Sequence, residues 1–307
     1  MTPPRSPSIS TPTPAEGHRS MSGRTVLITG PTSGIGRATA IALAAAGARL
    51  VLGVRDTDKG AALAEELGGK HVVRALDLSD LASVRRFAQG TPEPIDTLVN
   101  NAGVASSTLQ RTSDGFELQL GTNHLGHFLL TSLLLPQIKA RVVTVASQAE
   151  RASRLDLEDL NWQCREFRGG RAYADSKLAN LLFTAELDRR LRTAGSPVQA
   201  MAAHPGLVVT AIYDDPQRRR RSVWDRLLPL AGQQPDQGAL PVLLAITGDL
   251  PDAAFTGPRH LMHMRGGAQA IARSTRAKDP ELARRLWTAS EQLTGHDAAP
   301  VPTATAQ

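Results

Sequence analysis

Cysteine is nearly absent: Cys164 is the only one in 307 residues. No intrachain disulfide and no cysteine metal cluster can form, so the fold must rest on its core, and a reducing, cytoplasmic setting is expected. Aromatic residues are scarce at 4%, with two tyrosines and three tryptophans, too few for wide stacking platforms on single-stranded nucleic acid. No apolar run approaches the ~20 residues of a membrane span, so no membrane anchor is expected. The opening "MTPPRSPSISTPTPAEGHRS" has no apolar stretch, which excludes a secretory signal. Rich in Pro, Ser and Thr, it cannot bury enough surface to fold; residues 1–20 are read as a disordered tail, as are 297–307, around one domain spanning 21–296. The excess of positive charge is small, 35 basic against 29 acidic residues, and much of it is one run, Arg218 to Arg221. That run reads as a solvated loop, and no nucleic-acid partner is expected.

What is present is ordinary globular composition, 41% hydrophobic and 21% charged, in a chain long enough for a sizeable core. Short β-rich runs alternate with helical patterns. "RTVLITG", "ARLVLGV", "KHVVRAL", "IDTLVN", "ARVVTVAS" and "PVQAMAAHPG" read as strands, with a last short strand in "AAFTGPRHLM". Between them, "PTSGIGRATAIALAAAG", "DTDKGAALAEELGG", "SDLASVRRFAQG" with Ser79 as N-cap, a long helix over about 114–138, a helix opening near Arg171 and "PDQGALPVLLAIT" read as helices. The alternation predicts an α/β fold: a single-domain, doubly wound, mostly parallel sheet of about seven strands with helices on both faces. Such sheets bind ligands at the carboxyl ends of their strands. The long irregular stretch 211–237 is expected to be a lid over that edge, with Trp224 and its neighbouring leucines either covering substrate or packing on the domain.

"TGPTSGIG", Thr29 to Gly36, follows the first strand and opens the first helix. Gly30, Gly34 and Gly36 allow a tight turn and close approach of the backbone to a pyrophosphate. The helix N-terminus adds free N–H groups and the positive end of its dipole. Farther on, Tyr173 and Lys177 lie four residues apart, on one face of a helix. A phenol with a pKa near 10 is a poor base at neutral pH, and a nearby ammonium lowers that pKa. The pair can therefore give a proton to a forming alkoxide or take one from an alcohol.

The GxxxGxG spacing and the later YxxxK resemble the short-chain dehydrogenase/reductase family, whose loop is TGxxxGIG, and the resemblance runs from about Gly23 to Gly295. "NHLGHFLLT", "DLEDLNW" and "AYADSKLANLLFTAEL" are similar to the branch holding retinol dehydrogenases and the WW-domain oxidoreductase. The resemblance implies a one-domain Rossmann fold, catalysis by Ser147, Tyr173 and Lys177, and Asn123 as the residue that kinks its helix and passes protons through a water. It implies cofactor contacts from Gly30, Thr32, Ser33, Gly34, Ile35 and Gly36, from Asn101, Ala102 and Gly103 of "NNAG", from Tyr173 and Lys177, and from Pro205, Gly206 and Thr210. Asp77, followed by Leu78, stands where relatives bind the adenine amino group; as a residue type it serves equally as an Asx turn or cap. His204 reads as a loop residue packing under the cofactor, and Cys164 and Trp162 as packing.

NAD enzymes of this fold end the second strand on a carboxylate. Here that position is Val54, followed by Arg55, which can fork onto a 2′-phosphate, with Arg37 in support. Asp56 reads as a helix cap. The expected cofactor is NADP(H), ahead of NAD(H). The implied reaction is hydride transfer between nicotinamide and an apolar carbonyl or alcohol, with reduction of an activated C=C bond and a non-catalytic NADP-binding module as alternatives. Family habit implies dimers or tetramers through the two long helices, although monomers occur in this branch. No metal is expected.

Overall fold

A strand covered on both faces meets a helix at every residue, so it reads as an unbroken apolar run. In the computed structural model, which describes residues 20–91, 94–208 and 232–297, the last four residues or more of β1 (Thr25–Thr29), β2 (Arg49–Val54), β4 (Ile95–Asn100), β5 (Ile138–Val145) and β6 (Gln199–Ala203) are buried in this way, while charged residues such as Arg49, Asp96, Lys139 and Arg141 fall in the earlier part of β2, β4 and β5. With β3 (Val72–Ala75), β7 (Phe255–Gly257) and β8 (Gln269–Ala270) they form one eight-stranded sheet in the order β3-β2-β1-β4-β5-β6-β7-β8. All neighbours are parallel except β7 and β8. Successive side chains point to opposite faces. Leu27, Val51, Leu98, Val142 and Ala202 thus enter one core, and Val26, Ile28, Leu50, Val99, Val143 and Met201 the other.

Helices α1 (Gly34–Ala45) and α2 (Thr57–Leu67) contribute to the second core; α3 (Leu81–Gln89) contributes to the first. The stretch expected as one helix over 114–138 is composite: α4 (Leu118–Leu120), a π turn Gly121–Leu125, α5 (Gly126–Leu134) and a 3₁₀ turn Leu135–Gln137. It starts late because the Glu117 carboxylate accepts the N–H groups of Gln119 and Leu120 at 3.0 and 2.7 Å, capping the helix there. Helix α6 (Gly169–Thr193) opens two residues before Arg171. Helix α7 (Pro235–Thr247) keeps Pro241 in its interior.

The structure corrects one further expectation and adds a strand and a helix to the rest. Asp80, not Ser79, caps α3, its carboxylate accepting the Ala82 N–H at 2.9 Å. The sheet has an eighth, antiparallel strand. Helix α8 (Pro280–Thr294) escaped the sequence reading although Asp279-Pro280 starts it and Gly295, at φ +58°, ends it. This helix covers α6. Trp287 stacks on Phe183 with centroids 5.7 Å apart, meets Phe128 edge-on at 5.0 Å and carries the Arg190 guanidinium 4.4 Å above its ring. Among the described residues no helix is long and apolar enough to cross a membrane.

Candidate active site

The strand order reverses between β1 and β4, and the crevice at that switch point opens at their carboxyl ends. Two loops line it. Gly30 takes φ +62°, and a Cβ there would stand 2.9 Å from the Ala102 Cβ. On Gly36 a Cβ would collide with the Gly30 carbonyl and the Asn101 amide, so both positions require glycine. Ser33 precedes α1 in extended conformation, makes no side-chain cap, and no acidic residue occupies the first turn. The helix therefore presents uncapped N–H groups at its positive end, as an anionic pyrophosphate requires.

The second loop is stitched to the first. Asn101 Nδ2 donates to the carbonyls of Thr29 and Gly30 at 2.8 and 3.2 Å. The backbone N–H groups of Asn101 and Ala102 both donate to Thr29 Oγ1 at 3.0 Å. A Cβ on Gly103 would lie 3.4 Å from Asn123 Oδ1 and 3.5 Å from Lys177 Nζ, which places the loop against these two side chains.

Asn123 lies in the π turn, a geometry frequent at functional sites. Both ends of its amide are engaged: Oδ1 accepts the Val104 N–H at 2.7 Å, and Nδ2 donates to the Val104 carbonyl and to Ser176 Oγ, each at 3.0 Å. Ser176 Oγ in turn donates to the Tyr173 carbonyl at 2.8 Å. Asn123 thus ties the β4 loop to α6 one residue before Lys177. On α6 the Lys177 ammonium lies 5.6 Å from the Tyr173 ring centroid and donates to the Val145 carbonyl at 3.2 Å. Burial lowers its pKa to about 8. Ser147, two residues past β5, accepts the Ala149 N–H at 3.2 Å and caps a 3₁₀ turn.

Ser147, Tyr173 and Lys177 line one cleft with Ile35, Asn101, Gly103, Val145, Pro205, Gly206 and Val208. Gln233, buried and unsuspected in the sequence, holds the β6 turn: Nε2 donates to the Pro205 carbonyl at 2.6 Å and Oε1 accepts the Gly266 N–H at 2.9 Å. His204 is buried at the end of β6, where Nδ1 accepts the Gly206 N–H at 3.3 Å and burial lowers its pKa to about 4. Thr32 and Ser33 lie in the turn before α1.

Arg37 pairs with both oxygens of Glu66 at 2.5 Å, so its charge is engaged on α2. Arg55 is exposed just past β2 and makes no ion pair among the described residues, while Val54 beside it is buried. Asp56 caps α2 by accepting the Lys59 N–H at 3.1 Å. One Asp77 oxygen accepts both the N–H and the hydroxyl of Ser79, at 2.9 and 2.6 Å, an Asx turn that leaves the other oxygen for a ligand. Leu78 is buried against the π-turn end at Gly126. Trp162 is buried beneath the Arg165 guanidinium at 3.8 Å, but Cys164 is exposed and does not pack. Thr210 and residues 211–231 of the expected lid, Trp224 among them, lie outside the described residues.

Known proteins resemble this chain along most of its length. The short chain dehydrogenase family profile matches residues 24–220. Human retinol dehydrogenase 13 is 40% identical over 293 residues, covering 90% of this chain and 86% of its own. Mouse polyprenol dehydrogenase is 39% identical over 289 residues, covering 89% and 84%. The crystal structure of an uncharacterised protein from Mycobacterium paratuberculosis is 47% identical and superposes with a TM-score of 0.80 over 94% of this chain and 98% of its own. The chain belongs to the short-chain dehydrogenase family of oxidoreductases and is related to its retinol-dehydrogenase-like branch.

Proposed function

We propose that the chain is an NADP(H)-dependent oxidoreductase that interconverts an apolar carbonyl compound and its alcohol. The observation that carries this is the meeting of Ser147, Tyr173 and buried Lys177 in one cleft, beside the uncapped start of α1. A bound nicotinamide supplies or accepts the hydride. In the reducing direction the Tyr173 phenol gives its proton to the carbonyl oxygen, and the Ser147 hydroxyl holds that oxygen by a second hydrogen bond. The Lys177 ammonium favours the phenolate left behind. Val145 O takes one of its three N–H groups, which leaves donors for ribose hydroxyls.

Preference for NADP(H) rests on Arg55, an exposed guanidinium at the end of β2 that makes no ion pair among the described residues and would hold a 2′-phosphate, and on Val54, which offers no carboxylate to a ribose 2′-hydroxyl. Preference for apolar substrates rests on Ile35, Val145 and Val208 in the cleft wall and on the long apolar alcohols in the relatives' names, retinol and polyprenol. Against the homo-oligomer that family habit implies, we also propose a monomer, because α8 packs on α6, one of the two long helices of that habit, through Trp287 against Phe183 and Arg190.

The test is a panel of long-chain and small polar aldehydes, ketones and enones, each with NADPH and NADH, followed at the nicotinamide absorbance with product analysis. Alcohol products from apolar carbonyls with NADPH are expected. Saturated ketones from enones would move the hydride to C=C, and no turnover of any substrate would reduce the site to a binding module.

A further inference from the structure

His127 is fully buried, belongs to no group assigned above, and makes two hydrogen bonds to the site. One ring nitrogen, Nδ1, lies 3.1 Å from the Asn123 carbonyl oxygen; the other, Nε2, lies 2.9 Å from Thr29 Oγ1. We propose that His127 is a positioning residue that locks the π turn carrying Asn123 to the cofactor loop at the end of β1. The inference rests on the assignment of Asn123 to the proton path.

Proton accounting makes the bridge directional. A carbonyl oxygen has no proton, so Nδ1 must carry the hydrogen and donate to Asn123. Both lone pairs of Thr29 Oγ1 are taken by the N–H groups of Asn101 and Ala102, so the hydroxyl can only donate. Its short partner is His127 Nε2, with the Val99 carbonyl more distant at 3.4 Å. A neutral ring with the proton on Nδ1 satisfies every atom, whereas a protonated ring would have no acceptor on the Thr29 side. Burial, reinforced by the nearby Lys177 charge, holds the ring neutral, with a pKa of about 4.

The consequence falls on both halves of the site. Both hydrogens of the Asn123 amide are given to Val104 and Ser176, which holds the side chain still, and His127 fixes the orientation of the backbone carbonyl of the same residue. Through Thr29, the same ring fixes the loop Asn101–Ala102 that lies against the glycine turn. Such supporting bonds matter because small displacements of reacting groups are costly in rate.

Two substitutions separate the halves. His127→Asn can place an amide N–H near the Nδ1 position but cannot reach Thr29; His127→Gln can place an amide oxygen near the Nε2 position but gives no donor to Asn123. For His127→Gln we expect kcat to fall roughly 10- to 100-fold with a displaced kcat–pH profile, while the NADPH dissociation constant stays within about threefold. For His127→Asn we expect kcat within a few-fold of wild type and NADPH binding weakened up to about tenfold. Equal losses of kcat and affinity in both variants, or none in either, would overturn the inference. Histidine-ring ¹⁵N spectra of the unsubstituted chain test it without any variant: a neutral His127 protonated at Nδ1 supports it, and an Nε2–H tautomer overturns it. Tyr173→Phe separates this inference from the functional reading. If that variant is inactive while the two His127 variants behave alike, the His127 inference alone fails; if it stays active, the proton path and the His127 inference fail together.

Discussion

Lowering the pH from 7 to 5 perturbs three buried histidines at once. Burial lowers the pKa of His124 to about 3 and those of His127 and His204 to about 4, from 6.5 in the unfolded chain. A group whose folded pKa is depressed contributes stability that is fully present above its unfolded pKa and is lost as pH falls towards the folded one. The window is therefore from 6.5 down to about 4 for His127 and His204, and to about 3 for His124. Inside it each ring takes up a proton only on unfolding, at about 1.4 kcal/mol per pH unit. Three rings give a slope of about 4 kcal/mol per pH unit, large against a total stability of about 5–15 kcal/mol. Glu117 and Asp175, whose carboxyl pKa values burial raises, take up protons first in the folded state and offset part of this slope. Lys177 acts elsewhere: with a folded pKa of about 8 it is charged in both states below pH 7, and its effect on stability lies above pH 8. Urea unfolding at half-unit steps from pH 7 to 5 measures the slope, and two or more protons taken up between pH 6 and 5 are expected. His124→Asn should remove about one of them. A slope below one proton would refute the reading of these rings as buried and neutral.

Arg55→Ala should weaken NADPH binding by about 1.5–3 kcal/mol and leave NADH binding unchanged; equal losses, seen by cofactor fluorescence titration, would remove Arg55 from the cofactor site. Trp287→Ala empties the aromatic contact between α8 and α6 and should cost about 3–5 kcal/mol in denaturant unfolding, while the unsubstituted chain should sediment as a monomer. A stable dimer with α8 intact would contradict the covering role given to that helix. The value of kcat/KM for NADPH reports groups of the free enzyme, so it should fall as pH rises through about 8, where Lys177 loses its charge; a flat profile from pH 7 to 9 would detach Lys177 from catalysis.

The parts of this molecule that local physics dictates were legible in the sequence. The apolar runs of β1, β2, β4 and β5 show buried strands, and "TGPTSGIG" shows a turn that must do without Cβ atoms at Gly30 and Gly36. Tyr173 and Lys177 announce themselves by one-turn spacing. What was not legible depends on contacts distant in sequence. Gln233 reaches the Pro205 carbonyl across 28 positions, and Arg37 is diverted to Glu66 across 29. No local pattern encodes either. Two features left a readable signal that went unused. Asp279-Pro280 and Gly295 bracket α8 with ordinary start and stop residues, and His127 stands four residues after Asn123, one helical turn away. The π turn that holds Asn123 hides in "GTNHL", because the composition of such a turn does not differ from that of the helix it interrupts.

The central claim is that the Tyr173 phenol moves the proton that accompanies hydride transfer. Tyr173→Phe keeps the ring and removes only the hydroxyl, so it tests that claim with little disturbance of packing. NADPH affinity by fluorescence titration and turnover of a long-chain apolar aldehyde should be measured on the same preparation. The expected result is an unchanged dissociation constant with kcat lowered by at least roughly 10²–10⁴-fold. Turnover within a few-fold of the unsubstituted chain, at equal cofactor affinity, would contradict the account.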